Sequence, residues 1–140
     1  MKKAFMFLML MILVVIAYAY TPVWKSVANY KLYLDAKAAA IQAEDAGNTV
    51  VVRVAYTDAA KLAEAEAKTV VDQEATAKLL EIAAWQYQNA ALYLARWAYD
   101  HGKDKATLKS AEKLAKKAID FGVDKVSVKA ESVLTWINNM

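Results

Sequence analysis

At 140 residues with a net charge of +3 and no cysteine, the chain excludes disulfide scaffolds, thiolate nucleophiles and cysteine metal sites. Lys2 and Lys3 carry two of the surplus charges, so the remainder is close to neutral and nucleic acid is not an expected partner. Abundant alanine, three glycines and a single proline suit an all-α chain: an antiparallel helical bundle or a short helical-hairpin array with an N-terminal hydrophobic helix.

The first element is the uncharged run from Ala4 to Tyr20 behind Lys2 and Lys3. Its length falls between a secretory core and the roughly 20 apolar residues that span a bilayer, and both readings place the remaining chain outside the cytoplasm. Ala17-Tyr18-Ala19 offers a small-x-small cleavage site that would leave a chain beginning at Tyr20. Retention is the alternative, with Lys2 and Lys3 on the cytoplasmic side and Tyr18, Tyr20 and Trp24 forming an interfacial aromatic belt. The division is therefore 1–20, signal peptide or membrane anchor, and 21–140, helical domain.

Thr21-Pro22 reads as the start of a helix running to Ala46. The next stretch, "NTVVVRVAYTD", alternates like a strand but has no partner strand, so a helix from Thr49 is expected, with an intermolecular strand over 50–56 as the alternative. Nothing interrupts the chain from Asp58 to His101, and Glu64 and Lys68 stand at supporting i,i+4 spacing, so this stretch reads as helix throughout. Within it Trp85, Leu92 and Tyr99 form one stripe and Leu79, Ile82, Tyr93 and Trp97 another. That pattern makes the helix central, with Ala83, Ala90, Ala91 and Ala98 allowing close approach of its neighbours.

Two shorter amphipathic helices follow. Leu108, Ala111, Leu114, Ala115 and Ala118 face inward in one, and Val126, Ala130, Val133 and Ile137 in the other. The polar side of the first carries Lys105, Lys109, Lys113, Lys116 and Lys117, partly balanced by Glu112.

Each glycine closes the same frame: "AKAAAIQAEDAG", "ALYLARWAYDHG" and "AEKLAKKAIDFG" all fit Ala-x-x-[Leu/Ala]-Ala-x-x-Ala-x-Asp-x-Gly. Two residues later stands a helix-starting Thr49, Asp104 or Asp124. Asp120-Phe121-Gly122 is thus a helix stop rather than a metal-binding kinase signature, whose Gly-rich loop and His-Arg-Asp are absent. The acid before each stop, Asp45, Asp100 or Asp120, lies at the negative end of its helix and is expected to be held by a lysine or the following turn.

Chemistry-bearing motifs are sparse. His101, the sole histidine, reads as a cation-capable residue near helix-terminal carbonyls. Ser110-x-x-Lys113 lacks companion motifs, and the Asp-x-Gly-x-Asp turns at 100–104 and 120–124 lack the central glycine of a calcium loop. No catalytic, cofactor or metal residue is assigned. The expected function is a non-catalytic, exported or membrane-tethered helical module of the cell envelope that binds a protein partner or forms part of an assembly. Its candidate partner or ligand surface comprises Trp85, Tyr93, Trp97, Lys109, Lys113, Lys116 and Lys117. The alternatives are a filament or homo-oligomer subunit packing an uncleaved hydrophobic N-terminal helix in a shared core, and a small-ligand or lipid-binding protein using the aromatic helix 79–99.

Overall fold

A computed structural model describes residues 23–140. They form five helices: α1 (Val27–Ala46), α2 (Thr49–Thr69), α3 (Gln73–Asp100), α4 (Lys105–Asp120) and α5 (Asp124–Asn138). The hydrophobic segment 4–20, with its cleavage and anchoring readings, lies outside the described residues, among which no helix is long and apolar enough to cross a membrane.

Short polar caps set most helix starts. The Ser26 side chain accepts from Asn29 N at the head of α1, Asn48 from Val51 N on α2, Asp72 from Ala75 N on α3 and Asp104 from Thr107 N on α4. α2 starts at Thr49 as read, with Asn48 rather than Thr49 as its cap, whereas α1 begins at Val27 rather than Pro22 and α5 follows Val123 with no side-chain cap at all.

The glycine frame ends helices as read. Gly47, Gly102 and Gly122 have φ of 70°, 73° and 69°, the left-handed geometry that a β-carbon disfavours. At the second stop the bond from Lys103 N to Ala98 O, 2.7 Å, closes the wider ring of a Schellman turn. The three acids do not follow the expectation: Asp45, Asp100 and Asp120 are exposed, and among the described residues no hydrogen bond or ion pair holds them. Nothing in the structure explains their recurrence.

Val50–Tyr56 is helical, which removes the strand alternative. The valine alternation overlies a stronger 3.6-residue stripe of buried Val52, Tyr56, Ala59 and Ala63, and burying that stripe wins. The uninterrupted helix expected over 58–101 is instead two. Val70 is extended, with φ −94° and ψ 133°, and Asp72 restarts the helix. The β-branched run Thr69-Val70-Val71 ahead of a capping acid was the signal: it weakens the helix where a competing cap is available.

Long-range contacts give the arrangement. The Ser26 end of α1 meets Glu66 near the end of α2, so these two are antiparallel. Tyr33 with Gln86 and Glu44 with Tyr93 show that α1 runs parallel to α3. Glu81 with Lys125 and Tyr99 with Trp136 do the same for α3 and α5. The helices thus pack as an up-and-down series, with α1, α3 and α5 in one layer and α2 and α4 in the other.

Alanine makes the core. Ala59, Ala60 and Ala63 of α2, Ala83, Ala84, Ala90, Ala91 and Ala95 of α3, and Ala111, Ala115 and Ala118 of α4 are all fully buried. The expected small residues Ala83, Ala90, Ala91 and Ala98 are buried, and so are the inward faces of the last two helices apart from half-buried Leu108 and Ile137. The aromatic stripes of α3 take a different place. Trp85, Leu92, Tyr93 and Trp97 are half-buried and Tyr99 is 52% exposed, so they flank the core while alanines, Leu79, Tyr87 and Leu94 fill it. Two helices can approach closely only where both lack bulk, which pushes large rings to the margins of the contact.

Candidate functional site

The layer containing α1 and α3 is grooved along its length, because these parallel helices touch through long side chains rather than through alanines. At its N-terminal end a cavity of about 500 Å³ is lined by Val23, Trp24, Tyr30, Tyr33, Leu34 and Ile82, among others. At its other end a cavity of about 350 Å³ is lined by Ile41, Glu44, Tyr56, Leu92, Tyr93 and Arg96, with Lys37 shared between the two. Leu34 and Ile41 reach the groove at 44% and 46% exposure, large apolar side chains that the fold leaves uncovered.

Polar bonds hold the walls. Glu44 accepts from the Tyr56 hydroxyl at 2.6 Å through its carboxylate and from the Tyr93 hydroxyl at 3.1 Å through its backbone carbonyl, pinning the end of α1 to both α2 and α3. Gln86 donates to the Tyr33 hydroxyl at 3.3 Å and to Ile82 O at 3.2 Å, while its Oε1 is buried without a partner. Burial, and secondarily Tyr30, pushes the Tyr33 phenol up to about 12. Burial first and then Glu44 raise the Tyr56 and Tyr93 phenols as well. All three stay protonated at neutral pH, so these phenols offer hydrogen-bonding and apolar surface within a groove whose charged side chains are Lys37, Glu44, Lys78, Glu81 and Arg96.

A buried carboxylate holds the segment that leads into α1. Glu66 is 1% exposed and accepts from Lys25 N at 2.8 Å, Ser26 N at 2.9 Å and Asn29 Nδ2 at 3.1 Å. Burial pushes its carboxyl up, but the donors from Ser26, Asn29 and Lys25 outweigh that and leave it below the usual range. It therefore satisfies free N–H groups at the head of α1 and clasps the chain entering the domain. Trp24, stacked on Tyr33 at 5.0 Å and 5% exposed, is enclosed beside this clasp. Lys2, Lys3, Tyr18 and Tyr20 lie outside the described residues.

The structure divides the sequence-derived partner surface. Only Tyr93 lines the groove. Trp85 packs against the core margin, and Trp97 stacks on His101 at 4.0 Å. His101 Nδ1 lies 2.7 Å from Trp97 O, among helix-end carbonyls as read. Lys113 and Lys117 line a separate cleft on the other layer, Lys116 pairs with Glu112 at 2.8 Å, and Lys109 is exposed. Among the described residues the Glu64 and Lys68 side chains form no ion pair, and they line a further cavity. Among the described residues no three metal-ligating side chains converge.

Sequence reasoning missed Leu34 and Ile41, although Val27, Leu34 and Ile41 recur at seven-residue spacing and so share one face of α1. No family model, curated protein or solved structure matches this chain.

Proposed function

We propose that this protein is a non-catalytic helical module, built as a short antiparallel helical-hairpin array, that receives an amphipathic helix of a protein partner in the groove between α1 and α3. One observation carries the reading. Leu34 and Ile41, at 44% and 46% exposure, stand beside Tyr30, Ile82, Leu92 and Tyr93 along a groove with cavities of about 500 and 350 Å³. An apolar groove between two helices is a surface into which the apolar face of an amphipathic helix lays. The N-terminal apolar run supports an address in the cell envelope, anchored in the inner membrane or released beyond it.

A photo-crosslinking residue at Ile41 is expected to join the protein to one dominant partner, with the product reduced strongly by Tyr93→Ala and not formed from a crosslinker at Lys109. Equal products from both positions, or none from Ile41, would defeat this reading. Intact mass of the exported protein separates a Tyr20 start from a Met1 start.

A second reading, self-association, is favoured by Val27, which at 77% exposure extends the Leu34 and Ile41 stripe beyond the groove. In that case the crosslinked product has twice the mass of the protein.

A further inference from the structure

On the opposite layer, α2 and α4 run side by side across α3 and leave a cleft between them. Its first part, about 210 Å³, is lined by Thr49 and Arg53 of α2, Leu94 of α3, and Thr107 and Ser110 of α4. The next part, about 250 Å³, shares Arg53 and Ser110 and adds Thr57, Tyr87, Lys113 and Lys117. The two are therefore one continuous cleft. Its lining contains three cations and no carboxylate.

These cations are uncommitted. The ion pairs among the described residues join Lys78 to Glu74, Lys116 to Glu112 and Lys125 to Glu81, and none involves Arg53, Lys113 or Lys117. Lys116 and Lys117 make the contrast within one turn: the first, on the outer face of α4, is neutralised, whereas the second lies over the Tyr87 ring at 5.0 Å. Tyr87 is fully buried and stacked on Phe121 at 5.8 Å, so the floor beneath Lys117 is fixed. Asp104 accepts from Thr107 at the cap of α4, and Glu64 and Asp120 line an adjoining cavity that shares Lys117 with the cleft.

We infer that the cleft between α2 and α4 binds a phosphate group, with Arg53, Lys113 and Lys117 as charge partners and the Thr57 and Ser110 hydroxyls as neutral donors. Three convergent cations match a dianionic phosphate better than a single carboxylate. A guanidinium fork opposite two ammonium groups and two hydroxyls addresses several oxygens of a tetrahedral anion at once. The cleft is of a size to admit the group with part of its ester. Phosphate can arrive free, as a phosphoester, or as the headgroup of an anionic lipid, and these sources differ in what accompanies the phosphate. The inference is independent of the α1–α3 groove, which lies on the other layer.

The test is a titration of the full chain with inorganic phosphate at constant ionic strength, followed through the backbone amide signals of Thr57 and Ser110. A saturable shift is expected. It should weaken about tenfold or more in Arg53→Gln/Lys117→Gln, the size of losing charge-assisted contacts, and change less than about twofold in Lys109→Gln/Lys116→Gln. Because all four positions are exposed, unchanged urea midpoints will show that the variants remain folded. In a second arm, vesicles of phosphatidic acid in phosphatidylcholine are compared with phosphatidylcholine alone. Retention on the anionic vesicles that falls in the cleft variant assigns the phosphate to a headgroup, whereas saturation by inorganic phosphate without cleft-dependent vesicle binding assigns it to a soluble phosphoester. Equal losses in both double variants, or no saturation in one arm and no cleft-dependent retention in the other, would overturn the inference.

Discussion

The two sides of α3 are held by different physics. Towards α2 and α4 the contact is a seam rich in alanines that depends on backbones lying close together. Towards α1 it is a margin of large side chains joined by polar bonds, Tyr33 with Gln86 and Tyr93 with Glu44, while Glu66 of α2 clasps the segment that leads into α1. A small-residue seam leaves no room for a visitor, whereas contacts made by long side chains leave volume between them, which is why the groove opens on the second side. The α2–α4 cleft follows the same rule, since those helices meet across α3 rather than through alanines of their own.

The contrast predicts different sensitivities. The largest effect is expected from bulk in the seam. Ala59→Leu, at a site with 0% exposure, should cost about 3 kcal/mol or more in urea unfolding, because neither neighbouring backbone can retreat without opening the core. A cost below about 1 kcal/mol would show that the seam is looser than its burial implies.

Next comes the clasp. Glu66→Ala strands the N–H groups of Lys25 and Ser26 and the Asn29 amide, and should cost about 2 kcal/mol at neutral pH. Its pH dependence has a fixed sign. The folded carboxyl sits below its unfolded value, so the contribution is full above the ordinary glutamate range near about 4.3 and fades as pH falls through the lowered folded value. The gap between wild type and Glu66→Ala should therefore be flat at neutral pH and close only under acid conditions.

A smaller loss, about 1 kcal/mol, is expected for Gly47→Ala. A β-carbon there meets no atom within 4 Å, so the cost is only that of φ at 70°. A much larger value would reveal a contact that the open surroundings do not contain. The smallest change is expected at Gln88, which is 3% exposed with Oε1 unpartnered: Gln88→Leu should leave stability within about 0.5 kcal/mol or raise it. Marked destabilisation would mean that its amide is engaged.

How much was legible varies with the range of the cause. The three glycine stops, the Asp104 cap and the buried faces of α4 and α5 were readable because each depends on residues within one or two turns. The break at Val70 was local too, yet three β-branched residues and a capping acid form a weaker signal than a glycine or proline, and it was overridden by the absence of either. The aromatic rows of α3 were visible as rows, but their place at the edge of the core was not, since that depends on alanines of other helices.

By itself, then, the sequence determined an all-helical chain, most of its interruptions and the stripes that turn inward, because periodicity and backbone capping are settled over a few residues. Only the tertiary structure decided that Glu66 clasps the chain 41 residues before it, that Tyr93 and Leu92 share a groove with Ile41, and that Arg53 faces Lys113 and Lys117. Those juxtapositions depend on which helices lie parallel and how closely alanine lets them approach, a property of pairs of helices that neither helix carries alone.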